Sequence, residues 1–160
     1  MGPQPRRYQP SDLREAHKPV AILAWAQLST VFAFAGVMAA MTLVEPPFTG
    51  LSPGSGDRAR DIFFLITLFS FIAIRMAKRS ILQKTQSDTF EQLAGKLRAS
   101  AIVALILGEV PAILGLLLFF IGGYREDCFL LLGFGLLLMV LFFPKYANWA
   151  DWLAGRRGSA

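Results

Sequence analysis

The sequence is poor in the residue types from which most soluble active sites are built. It has a single cysteine, Cys128, and a single histidine, His17. One cysteine excludes an intrachain disulfide and a cysteine-based metal centre. One histidine, outside the apolar segments, argues against a His-ligated zinc or haem site within one subunit. Charged residues make up 17% of the chain, against about 25% in an average soluble domain. They are clustered, and no Lys or Arg falls inside the core of any apolar segment. There is no Ser/His/Asp set, no phosphate-cradling glycine loop and no metal-ligand spacing. The expectation is a protein that is not an enzyme, with no catalytic residues, no metal and no cofactor.

What is present is apolar sequence. Hydrophobic residues are 54% of the chain and the mean hydropathy is +0.50. That composition, with charge confined to a few stretches, predicts an all-α polytopic membrane protein. The net charge of +5 is then a topology signal and no argument for nucleic acid.

Four membrane spans are expected. The first, Pro19 to Val44, carries no charge over 26 residues, and Glu45-Pro46-Pro47 ends it. It is too long for the apolar part of a signal peptide and lacks a convincing cleavage site, so it is read as a retained anchor. A Gly/Pro/Ser loop leads to Arg60. The second span, 61–77, is the shortest: only 13 uncharged residues run from Ile62 to Ile74, and snorkelling of Arg75 extends it. The third runs from Ala99 to Ile121 and the fourth from Cys128 to Pro144, joined by a connector short enough to force an antiparallel pair. Residues 1–18 read as a tail with a short interfacial turn at Asp12 and Glu15. Residues 78–98 read as a helical hairpin, capped by Asp88 and Glu91, that leads into the third span. At the C-terminal end, 148–160, Trp149, Leu153 and neighbouring Tyr146 share a face beside Trp152, as an interfacial aromatic anchor.

Counting charges orients the bundle. With the N-terminus inside, thirteen Lys and Arg fall on the inner segments and three, Arg58, Arg60 and Arg125, on the outer loops. This is a strong positive-inside bias, and it needs the second span. Both termini and the 78–98 hairpin are therefore expected in the cytoplasm. Eleven Arg against five Lys hints at a GC-rich bacterial source, hence a bacterial inner membrane. The pairs Arg6-Arg7, Lys78-Arg79 and Arg156-Arg157 read as anchors that favour anionic lipid.

Glu109 stands out. It is the only charge between Ala99 and Ile121, ten residues from one end and twelve from the other. A central carboxylate costs at least about 2.5–3.5 kcal/mol on insertion scales, so a proton, a cation, a counter-charge or water must offset it. With no Lys or Arg in the core of any span, it is expected neutral at rest. Pro111 kinks the helix and has no N–H, which frees the Leu107 carbonyl one turn back. Gln27, Ser29, Thr30, Thr42, Thr67 and Ser70 are the polar groups on the other spans, with Thr67 and Ser70 expected nearest. The alternative is a neutral Glu that only fixes helix packing.

Small residues recur at helical spacing. Ala26, Ser29, Ala33, Gly36 and Ala40 form one stripe; Ala101, Ala104, Gly108, Ala112 and Gly115 form another. Such stripes admit close helix approach, and intrachain packing is the expected use.

The segment from Lys96-Leu97-Arg98 through Gly108-Glu109 to Gly115-Leu116 resembles the second helix of the proteolipid c subunit of rotary ATP synthases, in which a basic cytoplasmic loop leads into an apolar helix with a mid-membrane acid. The resemblance covers 96–121. It implies that Glu109 is an ion-carrying carboxylate, for H⁺ or Na⁺, in an oligomer or larger membrane complex. The chain differs from that family in a preceding helix without glycine and in two further spans. The alternative function is a structural or assembly subunit of a membrane complex, docking partners through its hairpin and tails.

Overall fold

The computed structural model describes residues 10–44, 48–52, 56–83, 85 and 88–154. The Glu45-Pro46-Pro47 terminator and the pairs Arg6-Arg7 and Arg156-Arg157 lie outside them. The described chain is all-α: α1 (Pro10–Val44), α2 (Gly56–Ile81), α3 (Phe90–Gly122), α4 (Arg125–Leu141) and α5 (Tyr146–Leu153). Helices α1 and α3 are long and apolar enough to cross a membrane; α4 and α5, bent by 45° across a short break, make a third if taken together.

Helix α3 is the centre. Its buried residues run from Leu93 to Phe119 on several faces, and it touches α1, α2 and α4. Its start is set by a capping box. The Thr89 hydroxyl accepts from the Gln92 N–H at 3.4 Å, and the Gln92 side chain accepts from the Thr89 N–H at 2.8 Å. The cap is thus one residue later than the Asp88/Glu91 pair expected from spacing, because Asp88 is engaged by Lys96 at 2.7 Å and by the Thr85 N–H at 2.8 Å.

Helix α4 lies antiparallel on α3 after the two-residue link Gly123–Tyr124. Cys128, Leu131, Leu132, Gly135, Leu138 and Met139 are its buried positions, the i, i+3, i+4, i+7 spacing of a single stripe. The α3 small residues meet this stripe. A Cβ on Gly115 would lie 3.0 Å from the Cys128 carbonyl, and one on Gly135 would lie 3.1 Å from the Ala112 nitrogen. The α1 stripe does otherwise: Ala26, Ser29, Ala33, Gly36 and Ala40 are exposed, with open space around Gly36. It does not serve intrachain packing, because α1 turns Val20, Ala24, Val31 and Met38 inward instead.

The end of the bundle where α3 meets α4 is closed by a backbone clasp. The last turn of a helix leaves carbonyls without partners. Here Gly123 N–H donates to Phe119 at 2.9 Å, Leu51 N–H to Phe120 at 2.8 Å and Ser52 N–H to Ile121 at 2.9 Å. Two left-handed glycines, Gly50 (φ 78°) and Gly123 (φ 69°), allow the two strands of backbone to touch. A Cβ on Gly50 would sit 2.5 Å from the Gly123 nitrogen. Phe48 stacks on Phe119 at 4.7 Å over the same junction.

At the opposite end the structure departs from the expected tail. Residues 10–18 are the first turns of α1, continuous through Pro19. They are helical because Leu13, Ala16 and Val20 have something to bury against: Leu93, Leu97 and Ala101 of α3 and Trp149 and Trp152 of α5. The two tryptophans are therefore packed inside the protein and do not serve as a lipid-facing belt. His17 fixes the junction, with Nε2 2.6 Å from the Pro144 carbonyl and its ring edge-on to Tyr146 and Trp149.

Candidate functional site around Glu109

Two contacts give the site its depth. Arg98 Nε donates to the Ala16 carbonyl at 2.9 Å, and Gln27 Nε2 donates to Glu109 Oε2 at 3.1 Å. Both pairs are separated by 82 residues. A constant separation means that α1 and α3 run parallel and in register; antiparallel helices would keep a constant sum instead. Glu109 lies eleven residues beyond Arg98, about three turns or about 16 Å along the axis. That is half of a hydrocarbon core about 30 Å thick. A membrane boundary at Arg98 would put Glu109 at mid-depth.

The carboxylate is half-buried in the α1–α3 seam, and its hydrogen-bond partner is an uncharged amide. Thr67 and Ser70, expected to be nearest, do not bond it. Ser70 donates to its own Ile66 carbonyl at 3.0 Å, and the buried Thr67 hydroxyl has no partner among the described residues. The reason is angular. Leu107 packs against the cluster that Ile74 of α2 and Leu138 of α4 form with Ala104. A residue two positions on points about 200° away on a helix, which turns Glu109 from that cluster towards Gln27 of α1. Gln27 stood among the polar candidates, and depth matching would have selected it: it lies eight residues into its apolar run, Glu109 ten into its own.

Gly108, Pro111, Ala112 and Gly115 are buried. Gly108 and Gly115 approach α4 beside Met139 and Leu131 respectively. Helix α3 is continuous through Pro111 from Phe90 to Gly122, so the proline does not interrupt it. Pro111 leaves the Leu107 carbonyl without its i+4 donor.

Gln27 suits both charge states of the acid. Its Nε2 donates to a carboxylate. Its Oε1 is buried with no partner among the described residues. A half-turn of the amide exchanges the two atoms and offers Oε1 to a protonated Glu109, which then donates. The same Oε1, with the carboxylate, supplies oxygen ligands to a small hard cation. Among the described residues no three His, Cys, Asp or Glu side chains cluster as a metal site. The arrangement can therefore hold a proton or one small cation. Neither a protein-family model, nor a curated protein, nor a solved structure matches this chain.

Proposed function

We propose that the chain is a four-span integral membrane protein of the bacterial inner membrane, with both termini cytoplasmic, and that Glu109 takes up and releases a proton or a small cation at mid-depth. It is a diverged c-subunit-like component of an ion-translocating complex or homo-oligomer. The observation that carries the reading is the Glu109–Gln27 pair: a mid-depth acid whose partner is neutral and can turn to serve either protonation state. A fixed ion pair would pin the acid in one state; an amide does not.

Parallel α1 and α3 support the topology. The chain must return between them, and α2, at 26 residues, is about 39 Å long. Its charges lie at the two ends, with Asp57 in its first turn and Lys78 and Arg79 in its last. That placement suits a short crossing, and Lys78 and Arg79 suit the C-terminal end of the helix dipole.

The test is covalent labelling. Dicyclohexylcarbodiimide attacks protonated carboxyls in apolar surroundings. The purified protein in detergent should gain one adduct, mapped to Glu109, that fades as pH rises, and also with Na⁺ if that ion binds. An unlabelled Glu109 at every pH removes the ion-site reading.

The exposed α1 stripe favours a second reading, a structural or assembly subunit. In that case Glu109→Gln leaves the native complex and every transport activity intact, whereas shortening 78–98 breaks assembly. Native mass in detergent separates a monomer, a homomeric ring and a hetero-complex.

A further inference from the structure

A cavity of about 640 Å³ opens at the inner end of the bundle, between the end of α2, the start of α3 and the α4–α5 break. Its size falls within the range of about 300–1,000 Å³ typical of ligand sites. Four cations line it, Arg75, Lys78, Arg79 and Lys145, and no carboxylate does. None of the four forms an ion pair among the described residues. Two rest on aromatic rings instead: Arg75 is 5.2 Å from the centre of Phe71, and Lys78 is 5.3 Å from that of Phe142. Rings attract these cations without neutralising them. Among the described residues the site therefore lacks a counter-anion.

The remaining lining identifies the anion's character. The inner wall is apolar, with Leu97, Ala101 and Phe143. The mouth is bordered by Ile72 and Met76, both exposed. From there an apolar track continues along α2 through Phe69 and Leu65, also exposed. Met76, Ile72, Phe69 and Leu65 fall at i, i−4, i−7 and i−11, one face of the helix. The track runs about 16 Å from the cationic cavity towards the middle of the bilayer. A free phosphate would use the cations and leave the track bare. An acidic peptide would have to lie along a face directed at lipid. An anionic phospholipid satisfies both parts, with its headgroup phosphate among the cations and an acyl chain on the track.

We propose that this cavity is a binding site for one anionic phospholipid of the inner leaflet, held by Arg75, Lys78 and Lys145. The proposal rests on the membrane reading and is independent of any role for Glu109.

The test uses the full-length protein in mixed micelles containing either phosphatidylglycerol or phosphatidylcholine, with bound lipid counted by native mass spectrometry. One phosphatidylglycerol should be retained in preference to phosphatidylcholine, and millimolar inorganic phosphate should not displace it. Each basic side chain near an anionic headgroup contributes about 1 kcal/mol, about fivefold in affinity. Lys78→Gln with Lys145→Gln should thus lower retention about 25-fold, while Arg125→Gln, at the outer end, should leave it unchanged. A photoactivatable phosphatidylglycerol on the unaltered protein gives a second readout, with crosslinks expected on the cavity lining and along the α2 track. Equal retention of the two lipids overturns the proposal, as does displacement by phosphate, displacement by a poly-glutamate peptide, or crosslinks confined to other helices.

Discussion

The clasp between the 48–52 loop and the α3–α4 turn yields a prediction whose size follows from the geometry. In Gly123→Ala the new Cβ falls 2.6 Å from the Thr49 carbonyl carbon and 2.9 Å from the Phe48 carbonyl oxygen. Both are backbone atoms, so no side chain can yield. The left-handed conformation alone costs alanine about 1–2 kcal/mol. If the loop then lifts away, the Leu51 and Ser52 hydrogen bonds to α3 are lost at about 1 kcal/mol each. The Phe48–Phe119 stack adds about 0.5–1.5 kcal/mol. The expected loss is thus about 1–2 kcal/mol if the clasp holds and about 4 kcal/mol if it opens. Gly50→Ala, with its Cβ 2.5–2.7 Å from the backbone of 121–123, opens the same clasp. A clasp can be lost only once, so if each single variant opens it the double variant should fall short of the sum by about 3 kcal/mol. The assay is unfolding by SDS in mixed micelles. Gly36→Ala, at an exposed helical site with nothing within 4 Å, is the control and should be neutral or stabilising. Additive losses, or a Gly123→Ala curve that overlays Gly36→Ala, would refute the argument.

Other perturbations have equally definite outcomes. Gly115→Val pushes into the Cys128 carbonyl and Leu131 and should cost about 1–3 kcal/mol by overpacking, read by the same titration. His17→Ala removes the contact with Pro144 and two ring contacts. It should cost about 1–2 kcal/mol and speed protease cleavage near α5; an unchanged cleavage rate contradicts that role. Lys96 and the Thr85 N–H hold the Asp88 carboxyl below its ordinary range. Its stabilising effect is therefore present above the unfolded value of about 3.9 and is lost as pH falls through the folded value. Hydrogen exchange in the first turn of α3 should rise there, and Lys96→Met should weaken the acid dependence. Tyr124 is pushed upward chiefly by its hydrogen bond to Asp57 at 2.5 Å. That contribution holds below an unfolded value of about 10 and disappears as pH rises through the folded value, so Asp57→Asn should bring the ultraviolet titration of Tyr124 down.

The parts legible in the sequence were those set by local chemistry. Uncharged length marked α1 and α3, the short connector set the antiparallel α3–α4 turn, and glycine and alanine at helical spacing fell on the α3 face that meets α4. What needed three dimensions was rotation about each helix. Nothing in the order of residues says that Glu109 turns towards α1 or that Ala26 and Gly36 point outward. Both follow from Val31 and Met38 being the α1 residues that join the buried cluster of Ala112 and Met139. The length of α1 was similarly hidden, since Leu13 and Ala16 are helical only because α3 and α5 cover them. The cationic cavity had a partial trace: Arg75, Lys78, Arg79 and Lys145 share one end under the four-span topology. Their convergence depends on the break at Phe142 to Lys145 that brings Lys145 back over α2 and α3.

The central claim is that Glu109 changes protonation within the membrane domain. Infrared difference spectroscopy on the purified protein, titrated across pH in deuterated buffer, observes this directly. The carbonyl stretch of a protonated carboxylic acid in an apolar setting should appear at low pH, vanish reversibly as pH rises, and be absent in Glu109→Gln. In Gln27→Leu the band should shift because its hydrogen-bond partner is gone. A spectrum in which Glu109→Gln removes no titrating carbonyl band would contradict the account.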